Sequence, residues 1–142
     1  MQETIEVIIP SNPRYLQILR RFIRETAELT GFKKNESEKI SLAIDEALTN
    51  IIRHSYNNDF NQKIIVTVYL HDQKLEIHLK DFGNKLDLSK IKVKNIGKLK
   101  PGGLGVNLIV GIMDIVEYDK SSEKYNIIKL TKFLKSSAGE RG

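Results

Sequence analysis

The chain has 142 residues, a hydrophobic fraction of 40% and a formal net charge of +5, which fits one folded domain spanning residues 1–142 and excludes wholesale disorder. It contains no cysteine, so disulfides, thiolate metal sites and cysteine nucleophiles are excluded. The chain does not open on a basic segment followed by an apolar run, and no stretch approaches about 18 apolar residues, so we expect a cytoplasmic protein without signal peptide or membrane span.

The first half of the chain predicts one strand followed by two helices. Residues 3–9 alternate polar and apolar side chains as a strand does, and apolar positions at helical spacing predict a helix over residues 15–29. A second helix is predicted to begin with Asn35 or Ser37 as its cap and to run to about His54.

The second half predicts a third helix and the rest of a sheet. Residues 82–103 show little periodicity and are interpreted as a long loop, after which a mostly buried helix begins near Leu104. Four further strands are predicted, over residues 63–70, 74–81, 115–119 and 125–133. The order β-α-α-β-β-loop-α-β-β favours an α+β fold, a two-layer α/β sandwich with helices on one face of a mixed, mostly antiparallel sheet.

Two oxygen-bearing side chains share one face of the second helix. Glu46 and Asn50 are four residues apart, and His54 lies one turn further on. Carboxylate and amide oxygens suit Mg²⁺, and such a carboxylate can also accept a proton from an attacking hydroxyl. The alternative is a solvent-facing polar stripe, and for this segment taken alone it is the commoner case.

A carboxylate also stands at the end of a predicted strand, in Asp81-Phe82-Gly83. A strand-terminal carboxylate can accept a hydrogen bond from an exocyclic amine such as that of adenine, and a glycine two residues later lets a flat base approach the backbone. The alternative is a simple turn. Eukaryotic-type protein kinases carry the same three letters, but neither their H-R-D loop nor their lysine-bearing strand motif accompanies them here.

The third motif is a glycine-rich turn at residues 102–106 (GGLGV), which opens the third predicted helix. Free backbone N–H groups and the positive end of the helix dipole make such a turn a phosphate-binding candidate. Its spacing matches neither the Walker pattern nor the dinucleotide fingerprint. A flexible turn without a ligand is the alternative.

A lysine-rich segment separates the two glycine motifs. Its members are Lys85, Lys90, Lys92, Lys94, Lys98 and Lys100. A solvated loop is the ordinary interpretation of such a run, and a cover for a polyanionic ligand is the alternative. Nucleic-acid binding is the weaker interpretation, because the aromatic residues are not interleaved with the lysines as a stacking platform requires.

In chain order the three motifs resemble those of the GHKL ATPases, the superfamily shared by histidine kinases, gyrase and anti-sigma kinases. Residues 46–56 (EALTNIIRHSY) resemble the N box, residues 81–83 (DFG) the first glycine box, and residues 101–118 (PGGLGVNLIVGIMDIVEY) the second. The last run is most similar to the anti-sigma-factor serine kinases. The resemblance covers nearly the whole chain.

The resemblance implies a role for each matched residue. Asn50 would coordinate Mg²⁺, and Glu46 would act as a base or orient the nucleophile. Asp81 would accept a hydrogen bond from the adenine amine, and Gly83 would lie against the flat face of the base. Gly103, Leu104 and Gly105 would lie along the phosphates. Residues 84–103 would form the ATP lid.

Three positions are left open by the resemblance. Lys85 stands where the fuller D-x-G-x-G pattern has its second glycine, which bears on the shape of the lid. His54 matches the extended N box, but a structural histidine is an equally good interpretation. Many relatives use a threonine near the base, and Thr131 is a candidate whose register the sequence does not determine.

The function implied is that of a Mg²⁺- and ATP-dependent protein serine kinase. Its substrate would be a serine of a small anti-anti-sigma protein of the STAS type, and the kinase, a homodimer, would sequester a sigma factor without contacting nucleic acid or membrane directly. The alternative is a module of the same fold that binds ATP or a partner and phosphorylates nothing.

Overall fold

The computed structural model describes residues 2–85 and 104–135. In chain order the helices and strands are β1 (Glu3–Pro10), α1 (Leu16–Thr30), α2 (Lys34–Asn50), β2 (Lys63–Leu70), β3 (Lys74–Asp81), α3 (Leu104–Ile112), β4 (Ile115–Asp119) and β5 (Asn126–Phe133). A short 3₁₀ turn, Pro13–Tyr15, precedes α1, and a π-helical turn, Ile51–Ser55, follows α2. The predicted order of elements is confirmed. The predicted long loop, apart from its first residues, lies outside the described part of the chain.

The five strands form one sheet in the order β1-β2-β3-β5-β4. Every neighbouring pair is antiparallel, so the sheet is not mixed as the sequence had suggested. The hairpin between β2 and β3 closes where predicted, with the His71 N–H donating to the Lys74 carbonyl at 3.1 Å. Consequently β5, the last strand among the described residues, lies between β3 and β4 and pairs Asn126 with Asp81.

The core lies between the helices and one face of the sheet. Alternate residues of the central strands are buried there: Ile64, Val66, Val68, Leu75, Ile77, Leu79, Ile128 and Leu130. They pack with buried residues of α1, α2 and the π turn: Leu19, Ile23, Ile40, Ile44, Leu48 and Ile51. The opposite face carries Thr67, His78 and Lys129 and is only half-buried. This asymmetry confirms the two-layer arrangement with helices on one face.

The helix ends follow local chemistry. Gly31 ends α1 with a φ of 121°, a conformation that favours glycine. The α2 helix begins at Lys34, so neither Asn35 nor Ser37 is its cap. Ser37 instead lies buried in the first turn and donates to the Lys34 carbonyl at 2.8 Å. The earlier start is favoured by Glu36, whose carboxylate accepts from the backbone N–H that precedes the helix.

In residues 108–112, the part of α3 whose burial is described, the helix is less buried than its apolar sequence predicts. Ile109 is buried, but Val110 is 49% exposed and Gly111 faces solvent. The helix ends at Ile112, where the Met113 N–H donates to the Ile109 carbonyl. Two residues, Met113 and Asp114, separate it from β4. None of the helices in the described parts of the chain combines the length and apolarity needed to cross a membrane.

Candidate functional site

The α2 helix continues into a π-helical turn, where a regular α-helix had been predicted to run to about His54. The Tyr56 N–H donates to the Ile51 carbonyl at 3.0 Å, five residues back, which defines the wider turn. Asn57 and Asn58 then adopt left-handed φ values of 51° and 63°, which asparagine tolerates. The π turn carries Ser55 into the interior, where it is 1% exposed.

Asp81, the last residue of β3, is fully buried and is the centre of a polar cluster. Its Oδ1 accepts three hydrogen bonds: from the Ser55 hydroxyl, from the Gly83 N–H at 3.0 Å and from the Asn126 Nδ2 at 2.9 Å. Its other oxygen, Oδ2, is buried and has no partner in the described parts of the chain. A buried acceptor left without a donor costs free energy, so this atom is suited to receive a ligand.

Asn126, the first residue of β5, is the cross-strand partner of Asp81 and is 4% exposed. Sequence reasoning missed it, because only the register of β5 on β3 places it beside Asp81. Thr131, the candidate for a residue near the base, pairs instead with Glu76 at the other end of β3 and lies on the opposite face of the sheet. The register therefore puts an asparagine beside Asp81.

Gly83 is fixed by close approach to the π turn. A Cβ built on it would lie 2.3 Å from the Ser55 carbonyl oxygen, a distance no real contact allows. The same oxygen accepts from the Asn84 N–H at 2.8 Å. The missing side chain of Gly83 therefore makes room for Ser55, and its role in flooring a base stays a prediction.

Replacing Gly83 with alanine is expected to lower the free energy of unfolding by about 1–3 kcal/mol, because the backbone of Ser55 must shift to admit the new methyl group. The matched control is Gly111→Ala, where a Cβ meets nothing within 4 Å and alanine is the better helix former. Urea unfolding of both variants measures the difference. A Gly83→Ala variant as stable as Gly111→Ala would contradict the close packing described.

Glu46 and Asn50 lie four residues apart on α2 and are both half-buried. Within residues 2–85 and 104–135, no side-chain hydrogen bond or ion pair engages either of them. Their neighbour Asp45, by contrast, is paired with Arg20 of α1 at 3.2 Å. Asn50 is the last residue before the π turn that carries Ser55, so one helix leads from the predicted metal pair to the Asp81 cluster.

The structure describes some, but not all, of the other residues predicted for the site. His54 is exposed on the π turn, and its pKa is lowered by partial desolvation and by the nearby Arg53. Leu104 and Gly105 form the start of α3, which packs against α2, whereas Gly103 lies outside the described residues. Of the predicted lid, residues 86–103 also lie outside them.

Lys85 has a structural task that the sequence did not reveal. Its ammonium group donates to the Tyr125 carbonyl at 2.9 Å and also to the Ser122 carbonyl. These bonds tie the segment after β3 to the turn that precedes β5. Lys85, one of the lysines considered as a cover for a polyanion, therefore binds the protein backbone in this structure.

The residues present fit ATP and Mg²⁺. The unpartnered Oδ2 of Asp81 is an acceptor suited to an amine on a base. Glu46 and Asn50 offer two hard oxygen ligands, and no group of three or more His, Asp or Glu side chains in the described ranges could hold a metal ion. Mg²⁺ usually binds one or two protein oxygens together with phosphates and waters, so this pair suits a metal that arrives with a nucleotide.

Comparison with known proteins agrees with this geometry. Residues 9–132 match the model of the histidine kinase-like ATPase domain. The chain is 30% identical to the serine-protein kinase RsbW of Oceanobacillus iheyensis over 139 residues, covering 92% of this chain and 86% of the relative. It is also 30% identical to RsbW of Bacillus subtilis, over 96% of this chain and 88% of the relative.

A solved structure shares the fold. The crystal structure of the RsbU and RsbW domains of a Mycobacterium tuberculosis protein superposes with a TM-score of 0.66 at 16% identity. The superposition covers 94% of this chain but 33% of that longer one. At this identity the likeness concerns the fold alone, and it matches the antiparallel sheet with helices on one face.

Proposed function

We propose, from the premise that this chain belongs to the histidine kinase-like ATPase family and within it to the RsbW serine-protein kinases, that it binds Mg²⁺·ATP and phosphorylates a serine of an anti-anti-sigma protein. The observation that carries the proposal is the buried Oδ2 of Asp81, which has no partner among the described residues. Asp81 is bonded to Ser55, in the π turn that continues the helix carrying Glu46 and Asn50. Asp81 offers a hydrogen-bond acceptor for adenine, Asn50 a metal ligand and Glu46 a proton acceptor.

Each residue has a distinct task in this proposal. Asp81 accepts a hydrogen bond from the adenine amine, and Ser55 holds its other oxygen in place. Asn50 supplies the amide oxygen for Mg²⁺, which neutralises phosphate charge when it is bound. Glu46 accepts the proton of the serine hydroxyl as that oxygen attacks. The N-terminus of α3, with Gly103, Leu104 and Gly105, lies along the phosphates, and residues 84–103 form the lid.

The wider biological role is proposed on the same basis. The STAS-type substrate, once phosphorylated, releases the kinase, and the freed kinase sequesters a sigma factor. We propose that this occurs in the cytoplasm, that the kinase acts as a homodimer, and that it contacts no nucleic acid or membrane directly. The support for these statements is the membership of the RsbW family.

Metal-dependent nucleotide binding is the first test. Because the described chain offers only two oxygen ligands, we expect Mg²⁺ alone to leave the thermal midpoint unchanged and Mg²⁺ with ATP to raise it. Asn50→Ala should weaken Mg²⁺-dependent ATP binding by at least about tenfold, measured by isothermal titration calorimetry. Asn35→Ala, the same change on an exposed residue of the same helix, is the control. Absence of ATP binding by the wild type at millimolar concentrations would refute the proposed function.

The second candidate is a regulatory module that binds ATP without transferring its phosphate. It is favoured by Lys85, which occupies the place of a second glycine and is tied to the Ser122 and Tyr125 carbonyls. Incubation with ATP and the cognate anti-anti-sigma protein separates the two candidates. Phosphoserine in the product supports the kinase, whereas nucleotide binding with no phosphoserine supports the module.

A further inference from the structure

A second buried oxygen beside Asp81 has no hydrogen-bond donor among residues 2–85 and 104–135. It is Oδ1 of Asn126, a residue that is 4% exposed. Asn126 and Asp81 are directly opposite each other on neighbouring strands, and their side chains lie on the helix-facing side of the sheet. Because the Asn126 Nδ2 and the Asp81 Oδ1 are 2.9 Å apart, the free oxygens of the two side chains belong to one small cluster.

The orientation of the Asn126 amide is fixed by its surroundings. Besides Asp81, its Nδ2 faces the carbonyl oxygens of Asn84 at 3.1 Å and Gly83 at 3.4 Å, and the Ser55 hydroxyl at 3.3 Å. Carbonyl and carboxylate oxygens accept hydrogen bonds only, so the side facing them must be the NH₂ group. The oxygen of the amide therefore points away from this set, and the described residues of this cluster present two free acceptors.

We propose that Asn126 is a specificity-determining residue of the base site, its Oδ1 and the Asp81 Oδ2 together receiving the two hydrogens of one exocyclic amine. An amine at position 6 of a purine has two N–H donors and satisfies both acceptors. A purine with a carbonyl oxygen at position 6 places a third acceptor beside the Asp81 Oδ2 and the Asn126 Oδ1. None of the three oxygens then has a donor, which weakens binding strongly in a buried site. The inference rests on the proposed nucleotide-binding function and makes the site selective for adenine over guanine and hypoxanthine.

The test compares ligands that differ only at position 6, by calorimetric titration with Mg²⁺ present. Wild type is expected to bind ATP about 100-fold or more tightly than inosine triphosphate. N6-methyl-ATP, which lacks one amine hydrogen, should bind about 3- to 10-fold more weakly than ATP. Asn126→Leu removes one of the two acceptors. The loss of affinity caused by the methyl group should then fall towards none, and the preference for ATP over inosine triphosphate should fall about tenfold.

The outcomes separate direct recognition from support of the fold. If Asn126 only holds Asp81 in place, Asn126→Leu weakens all three ligands equally and leaves their ratios at the wild-type values, which overturns the inference. Should Asn126→Leu fail to fold, Asn126→Val removes the acceptor oxygen in a side chain suited to a strand, and its methyl penalty should also fall below that of wild type. An unchanged penalty there also overturns the inference.

The same titrations keep this inference separate from the function on which it rests. Failure of wild type to bind ATP would remove the proposed function itself. Binding of ATP that is lost in Asp81→Ala, combined with equal wild-type affinities for ATP and N6-methyl-ATP, would leave the function standing and overturn only the role of Asn126.

Discussion

Glu46→Gln is expected to lower the rate of serine phosphorylation by about 10²–10⁴-fold, the usual contribution of a general base. The substitution keeps the size of the side chain and removes its ability to take a proton. Glu46 is half-buried and engages no side-chain partner in the described parts of the chain, so folding does not depend on its charge. Single-turnover phosphate transfer from labelled ATP to the cognate anti-anti-sigma protein measures the effect.

The loss should be confined to the chemical step. The affinity for Mg²⁺·ATP, measured by calorimetry, should fall far less than the transfer rate, because glutamine keeps an oxygen at this position. The thermal midpoint should remain that of wild type. Glu38→Gln, on an exposed position of the same helix, removes an identical charge away from the site and should transfer phosphate at the wild-type rate. Undiminished transfer by Glu46→Gln would show that another group takes the proton.

Asp81→Asn is expected to weaken ATP binding by about 100-fold or more, because it replaces the free acceptor by a donor. The Oδ1 of Asp81 receives three donors, so the oxygen of the new amide must keep that position. The new NH₂ group then occupies the place of Oδ2 and faces the adenine amine, donor against donor. Competition with a fluorescent nucleotide measures the loss.

The accompanying change in stability should be small. The three hydrogen bonds persist but lose the help of the charge, which costs about 1–2 kcal/mol. Asp119→Asn is the control, since Asp119 ends β4 near the same end of the sheet but faces the opposite side, where it pairs with Lys129. Unimpaired ATP binding by Asp81→Asn would show that the base lies elsewhere.

The architecture could be predicted because its signals are local. Alternation in β2 and β3, the apolar stripe of α1 and the glycine after it each act within a few residues, and the structure confirms the elements they predicted. The strand order could be expected only from the family resemblance, because pairing of β5 with β3 depends on contacts far apart in the chain. The burial of residues 108–112 of α3 was overestimated, since apolar composition does not reveal which side a helix turns to its neighbours.

The site was predictable only in part. Asp81 could be singled out because a carboxylate at the end of a strand is visible in the sequence. Ser55 and Asn126 could not, because the first depends on a π turn and the second on the register of the sheet. A π turn leaves no periodic pattern, since it differs from an α-helix by the widening of a single turn. That Glu46 and Asn50 share one face of α2 follows from helical spacing alone, and their role in binding Mg²⁺ stays a prediction.

The central position of β5 also bears on how the protein is made. The hydrogen bond between Asn126 and Asp81 joins residues 45 positions apart, and β5 is the last strand in the described part of the chain. A ribosome adds about 5–20 residues each second, so Asp81 emerges seconds before its partner and waits unpaired. The candidate site is therefore completed only after Asn126 has been synthesised, and a nascent chain truncated before Asn126 would lack the hydrogen bond from Asn126 to Asp81.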